Sequence, residues 1–205
     1  MPVLSICKSD TSVSYCIWQI TETEAFFWQE LKLLPEDAAA IRALQLPVRR
    51  LERLACRAAL STLLPRPITA VTYSPDGAPR TPDMCMSFSH CKNYVAVAIA
   101  PRPVGIDIEP VAERILNLYP KFLSNTEQAD FNVADASQLH LCWGAKEACF
   151  KCIPNASHDF LCDIRIEKTP TENLLKGYVQ TPEGEMITKI EYSLQNDLMV
   201  VICSQ

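Results

Sequence analysis

Glycine is scarce in this sequence, with five residues against fifteen prolines, so the connections between elements are expected to be stiff. No apolar run approaches the length needed to span a bilayer. The opening Met-Pro-Val-Leu-Ser lacks a basic region followed by an apolar one, so no secretory leader is expected and the chain is placed in the cytoplasm. An excess of positive charge is also missing, the formal net charge being −5. A general nucleic-acid binder needs a basic face that neutralises several phosphates, so that class is set aside and any anion site must be local. Cys149 and Cys152 form a C-x-x-C with no second such pair and no redox-type strand and turn before it, which argues against zinc or redox chemistry. The ten cysteines lie mostly in apolar periodic segments, Cys56, Cys142, Cys149 and Cys203 among them. There a reduced thiol acts as a small hydrophobe.

What is present is enough for a folded globule. The 205 residues are 48% apolar, sufficient for one large core or two small joined halves. The pattern predicts a strand over Tyr15–Ile20, a helix over Glu22–Leu34 ended by Pro35, and a stronger helix over Val48–Leu64 between Pro47 and Pro65. Strands follow at Ala70–Tyr73, Met84–Phe88 and Tyr94–Ile99, with a Pro- and Gly-bearing turn from Ser74 to Pro79. Ser124 and Glu127 stand in the S-x-x-E relation of a capping box. A long helix is predicted over Ala136–Cys152, and strands around Cys162–Glu167, Met186–Tyr192 and Leu198–Cys203. Asn196-Asp-Leu-Met-Val-Val-Ile faintly echoes Asn93-Tyr-Val-Ala-Val-Ala-Ile. The fold class read from this is α+β, in two related halves, 1–101 and 102–205, joined near Pro101–Pro103.

The stretch Val104-Gly-Ile-Asp-Ile-Glu-Pro110 carries the chemistry. Side chains alternate along a strand, so Asp107 and Glu109 emerge on one face while Ile106 and Ile108 point into the core. Two carboxylates held together repel unless a cation lies between them, and magnesium is the natural candidate. An edge strand with one solvated face has the same alternation.

Other candidates stand on helices. Arg50, Arg53 and Arg57 form a basic stripe on the Val48–Leu64 helix, either a solvated face or a local phosphate site. Glu147 falls between Trp143 and Phe150 on the side read as apolar, with Lys151 four residues on as an ordinary ion-pair partner. Ser89 and His90 are adjacent on a strand and point apart, which excludes a hydrolase pair.

Gly105-Ile-Asp-Ile-Glu109 followed by Trp143-Gly-Ala-Lys-Glu-Ala-Cys-Phe-Lys151 resembles the paired signature of the 4′-phosphopantetheinyl transferases, G-[IV]-D-[IV]-E and W-x-x-K-E-[AS]-x-x-K. Ser87-Phe-Ser-His90 resembles the family's S-x-S-H segment and Phe122-Leu-Ser-x-x-Glu127 its F-x-S-x-x-E. Arg49-Arg50 with Arg57 resembles the arginine-bearing helix of the larger, surfactin-synthetase-activating type. Where the family often has Gly-Lys-Pro before S-x-S-H, this chain has Gly77-Ala78-Pro79-Arg80, which leaves Arg80 as a substitute for the missing lysine charge.

The resemblance implies a monomer of two similar halves with its active site at their interface. The implied reaction moves 4′-phosphopantetheine from coenzyme A to a serine of an apo acyl or peptidyl carrier protein and releases adenosine 3′,5′-bisphosphate. Asp107, Glu109 and Glu147 would hold magnesium, Lys151 would pair with a pyrophosphate oxygen, and Glu147 would take the serine proton, directly or by way of a water. Ser89 and His90 would contact the coenzyme's phosphates. Arg50 and Arg57 are candidates for its 3′-phosphate, though helical phase alone does not choose among Arg49, Arg50, Arg53 and Arg57. A magnesium-dependent hydrolase of nucleoside diphosphate linkages and a non-catalytic coenzyme A module are the rival classes.

Overall fold

Two larger antiparallel sheets, each packed against one long helix, and a two-stranded ribbon are found among the described residues, 3–9, 12–64, 71–74, 77–153 and 159–205, of a computed structural model. The backbone separates into two units, Met1–Pro101 and Arg102–Gln205. Pro65, Ala70, Pro75 and Asp76, which figure in the expected helix stop, strand start and turn, lie outside the described residues.

In the first unit, β1 (Val3–Cys7) and β2 (Ser14–Gln19) lead into α1 (Glu24–Glu30), α2 (Pro35–Arg42) and α3 (Pro47–Leu63). A short ribbon of β3 (Thr72–Tyr73) and β4 (Pro79–Arg80) follows, then β5 (Cys85–Cys91) and β6 (Tyr94–Ala100). The sheet order is β1-β2-β6-β5. The helix expected over Glu22–Leu34 is shorter, Glu24–Glu30, and a second, unforeseen helix follows it. Thr23 caps α1 by accepting from the Phe26 N–H, and Leu31 turns extended after Glu30. Pro35, expected as a stop, instead opens α2, where its missing N–H costs no helical bond. Pro47 opens α3 in the same way. Leu54, Ala55, Ala58 and Leu60 of α3 are buried in a core with Trp18, Phe27, Val95 and Val97, and α3 packs on β2 and β6.

The second unit begins with β7 (Val104–Pro110), two 3-10 turns (Glu113–Asn117 and Tyr119–Lys121), the single turn α4 (Glu127–Asp130) and α5 (Ala136–Cys152). Four strands close it: β8 (Ile164–Lys168), β9 (Leu174–Thr181), β10 (Gly184–Gln195) and β11 (Leu198–Ser204), in the order β7-β11-β10-β9-β8. Asp135 caps α5, its carboxylate accepting from the Ser137 and Gln138 N–H groups. Strand β9 was missed in the sequence because Lys176 and Gly177 break its apolar alternation. A Cβ at Gly177 would come within 2.6 Å of Cys149 Sγ, so the glycine lets the sheet close on α5.

The echo between the units falls on equivalent hairpins. Lys92-Asn93 and Asn196-Asp197 are both two-residue hairpin turns, with Cys91 opposite Tyr94 and Gln195 opposite Leu198. Lys92, Asn196 and Asp197 have positive φ, the backbone such tight turns require. The similar runs are the strands that leave them, and they hold the same place in each sheet. A first strand (β2 or β7) leads by way of a long helix (α3 or α5) to a hairpin whose last strand pairs with it, in the orders β2-β6-β5 and β7-β11-β10, while β1, β8 and β9 are added at the outside. All ten cysteines are free. Burial pushes the Cys56 thiol up to about 12, which keeps it neutral as a packing residue. No helix among the described residues is long and apolar enough to cross a membrane.

Candidate active site

Strand β7 is the last strand of its sheet, paired on one side with β11. It does not, however, present a solvated face: Asp107 is 4% exposed. The reason lies in two glycines. A Cβ at Gly105 would come 1.9 Å from the Ala148 carbonyl oxygen and 2.9 Å from the Cys152 nitrogen. Only a glycine lets α5 press this closely on the strand. On the helix side, a Cβ at Gly144 would lie 3.0 Å from Val201 Cγ2 and 3.5 Å from Asp107 Oδ2. Helix α5 therefore covers the face from which Gly105, Asp107 and Glu109 project, while Ile106 and Ile108 are buried on the other.

The charges follow from that packing. Lys151 Nζ donates to Asp107 Oδ1 at 2.7 Å and to the Ile106 carbonyl at 3.1 Å. The expected helical pair between Glu147 and Lys151 is thus replaced: Lys151 reaches across to the strand, and no ion pair among the described residues joins it to Glu147. Burial pushes Glu109 up to about 6, with the charges of Asp107 and Glu147 adding to the rise. Burial likewise raises Glu147, followed by the Asp107 charge, and Lys151 partly offsets both. Three acids drawn from two elements feel one another.

Glu109 and Glu147 share a cavity of about 870 Å³ with Arg114, Lys121, Trp143 and Phe160. The sequence placed Glu147 on the apolar face of its helix. The apolar face is in fact elsewhere, on Leu139, Cys142, Ala145, Cys149 and Cys152, which enter the core. Trp143, Glu147 and Phe150 are half-buried and line the cavity. Trp143 stacks edge-on against Phe122 with centroids 5.2 Å apart and lies 5.4 Å from Phe160, which fixes an aromatic wall beside the acid.

One pair at this site was not read from the sequence. Lys146, beside Glu147, is fully buried and donates to Glu127 Oε2 at 2.9 Å and to the Phe160 carbonyl at 2.7 Å. Glu127 also accepts from Ser124 N–H and Oγ and from the Ile166 N–H. The S-x-x-E contacts form as expected, but the helix they precede is one turn long. Their larger effect is to tie the Phe122–Glu127 segment to α5. Both residues stood in motif segments, and that was the available signal.

The remaining candidates lie in the first unit. Arg57 is fully buried, its Nε and Nη2 each 2.6 Å from the Asp37 carboxylate and its Nη1 donating to the Tyr73 hydroxyl at 3.2 Å. The solvated-stripe reading fails for this residue, and the geometry does not carry its assignment to the coenzyme's 3′-phosphate. Arg50 is held by Glu24 at 2.9 Å and by the Leu44 carbonyl at 2.9 Å. Arg53 lies over the Tyr73 ring. Arg49, 51% exposed, pairs with Glu52 and contacts His90 Nε2. His90 is exposed at the edge of β5, and Ser89 beside it is buried.

Among the described residues no group of three or more His, Cys, Asp or Glu side chains is arranged to hold a metal ion as the chain stands. The donor set nonetheless suits a hard cation: it is all oxygen, two of its acids face one cavity, and their mutual repulsion is relieved by positive charge. Magnesium needs only one or two protein carboxylates when substrate phosphates supply the rest.

Residues 103–197 match the family model of the 4′-phosphopantetheinyl transferase superfamily. A Bacillus subtilis protein named 4′-phosphopantetheinyl transferase is 31% identical over 84 residues, 38% of this chain and 37% of the relative. The match therefore spans little more than a third of that relative's length. The segment matched by the family model, residues 103–197, carries Asp107, Glu109, Glu147 and Lys151, and it shows the superfamily resemblance read from the two signatures. Arg49, Ser89 and His90 lie outside it.

Proposed function

We propose that this protein transfers the 4′-phosphopantetheine group of coenzyme A to a serine of an apo acyl or peptidyl carrier protein, as the larger, two-halved kind of 4′-phosphopantetheinyl transferase. The observation that carries this reading is the meeting of Asp107 and Glu109 from β7 with Glu147 and Lys151 from α5, beside a cavity large enough for a substrate, in the segment that matches the superfamily. Asp107, Glu109 and Glu147 would hold magnesium. Bound there, the ion would neutralise charge on the pyrophosphate oxygens. Lys151 keeps a cation beside the phosphate to be attacked and stabilises charge that shifts to the leaving group. Glu147, half-buried at the cavity wall, takes the proton from the attacking serine hydroxyl. The products are the phosphodiester-linked carrier and adenosine 3′,5′-bisphosphate.

The coenzyme's remaining contacts are assigned to the first unit on the strength of the Ser87-Phe-Ser-His90 resemblance. His90 with Arg49 supplies the exposed basic pair there. Arg50 is half-buried and held by Glu24 and the Leu44 carbonyl, whereas Arg49, although paired with Glu52, is 51% exposed, so Arg49 replaces Arg50 and Arg57 as our choice for the 3′-phosphate. Ser89 remains assigned to the coenzyme's phosphates with His90.

The test is incubation with coenzyme A, magnesium and a panel of apo carrier proteins, read by intact mass. A carrier that gains one phosphopantetheine is the expected result. Consumption of coenzyme A without any carrier would replace the transferase with a hydrolase, and binding of coenzyme A that is indifferent to magnesium and yields no product would leave a binding module.

A further inference from the structure

Trp143 and Phe150 stand four residues before and three after Glu147 on α5, so all three share one face of the helix. The two aromatic positions are about 10.5 Å apart along the helix axis, at about 1.5 Å per residue. The Phe160 ring touches both, with its centroid 5.4 Å from that of Trp143 and 6.0 Å from that of Phe150. A ring that reaches both ends of this span lies level with Glu147, which lines the same cavity. Phe160 is thus a side wall of the slot from which the acid emerges.

Phe160 comes from outside the helix, and polar contacts hold it in place. Asp159 closes the turn around it, its carboxylate accepting from the Leu161 and Cys162 N–H groups at 3.0 and 3.1 Å. Lys146 Nζ donates to the Phe160 carbonyl at 2.7 Å and so fastens that turn to α5 one residue before Glu147. A fully buried ion pair such as Lys146 with Glu127 is by itself poor support for a fold, since apolar residues of similar volume often serve as well. An apolar residue does not, however, hold the carbonyl of a cavity-wall residue. A glutamate side chain left to itself turns about three torsions, whereas a general base must come within about 2.6–3.2 Å of the proton it takes. We propose that Phe160 is a positioning residue for the transfer reaction: fastened by Lys146, its ring restricts the Glu147 side chain and keeps the carboxylate aimed into the cavity. The proposal rests on the transfer reading above, in which Glu147 takes the serine proton. Phe160 acts through Glu147 and touches no reacting atom.

Two substitutions separate the ring from its fastening. Phe160→Ala removes the ring and leaves the carbonyl held. Lys146→Met keeps the side-chain length and releases the carbonyl, while Glu127 retains its donors from Ser124 and Ile166. Carrier modification with magnesium is measured on both, on the double variant and on wild type, at a temperature where melting curves show each folded. Each single variant is expected to lower kcat by at least about ten-fold and up to about a hundred-fold, the cost of a reacting group misplaced by about 1 Å, with KM for coenzyme A within about two-fold of wild type. The double variant is expected to match Phe160→Ala within about two-fold, because the fastening works through the ring. In metal-free protein labelled with 5-fluorotryptophan, the Trp143 fluorine resonance, identified by its loss in Trp143→Phe, is expected to shift in both single variants while those of Trp18 and Trp28 hold. An unchanged kcat in Phe160→Ala, a loss that falls on KM instead, losses that multiply in the double variant, or an unmoved Trp143 resonance in Lys146→Met overturns the inference and leaves the transfer reading standing. The first two of these decide the matter even where Lys146→Met does not fold. A wild-type protein that modifies no carrier overturns the transfer reading, and this inference with it.

Discussion

Lys151 Nζ lies 2.7 Å from Asp107 Oδ1 and joins α5 to β7, beside Glu109 and Glu147, whose pKa values the Asp107 charge helps to raise. The lysine is 24% exposed at its side chain, so its ammonium reaches solvent when the partner is removed. Asp107→Ala is expected to abolish transfer under ordinary magnesium while shifting stability by no more than about 1 kcal/mol, the range of a partly exposed pair. Turnover across a magnesium titration, with a melting curve on the same sample, checks it. Wild-type rates from a normally melting variant would remove Asp107 from the proposed metal set.

Arg57 shows the opposite balance. Its guanidinium is bidentate on Asp37 with both side chains out of solvent, and removing one partner strands a buried charge. Arg57→Ala is expected to destabilise the fold by about 3–5 kcal/mol. Preference for coenzyme A over its 3′-dephospho form should survive in whatever protein remains folded. Denaturant unfolding measures the first, and competitive binding at low temperature the second. Loss of the preference with stability intact would return Arg57 to the phosphate.

That pair also marks where sequence reading stops. Helical phase put Arg57 on a stripe with Arg50 and Arg53, because phase knows only the residue's own helix. Asp37 comes from α2, and nothing local announces that a carboxylate from another helix will draw the arginine inward. Glu147 fails for a related reason. Trp143 and Phe150 look like core residues, and it takes the covering strand, the core side of α5 and the cavity volume to show that they line a site. The extent of α5 was legible although the face read as apolar was not the one that enters the core, and the one-face placement of Asp107 and Glu109 was legible because a two-residue alternation is carried by neighbours in the chain. Strand β9 was not, since its sheet neighbours supply the order that its own sequence lacks.

Arg49 tests the proposed anion contacts of the first unit. It is exposed and touches His90, so Arg49→Ala should leave the melting temperature nearly unchanged. Coenzyme A is expected to bind about ten-fold more weakly, as for a charge-assisted contact of roughly 1.5 kcal/mol, and 3′-dephospho-coenzyme A about as before. Equal losses for both ligands would place Arg49 elsewhere on the coenzyme or off it.

Gly105 links packing to function without touching a substrate. A Cβ there meets the backbone of α5 at 1.9 Å, and backbone cannot step aside as a flexible side chain can. Gly105→Ala is expected to push α5 from β7, spread Asp107 from Lys151, and cost about 1–3 kcal/mol as an overpacked contact. Carrier modification should fall further than the lost folded fraction explains. A variant that melts as wild type and keeps full activity would show that the glycine is not what sets the approach.

Glu147 separates the structural and functional readings most sharply. If it were an ordinary helix-surface acid, Glu147→Gln would change stability by a few tenths of a kcal/mol at most and leave turnover alone. The structure already denies it the Lys151 pair that this account needs. In its cavity the acid lies in the field of Asp107, and burial holds its pKa above the usual carboxylate range. Glutamine keeps the shape and removes both the charge and the proton acceptor. General base catalysis is typically worth about a hundred- to ten-thousand-fold, so turnover is expected to fall at least about a hundred-fold. Coenzyme A affinity should fall less, because Asp107, Glu109, Lys151 and the first-unit cations remain. Melting should stay near wild type or rise slightly, since a charge disfavoured by burial and by Asp107 has been removed. Thermal melting, coenzyme affinity and carrier modification measured on one Glu147→Gln preparation decide the matter: near-wild-type modification by a normally melting protein would take the proton-accepting role from Glu147 and leave the cavity without its proposed base.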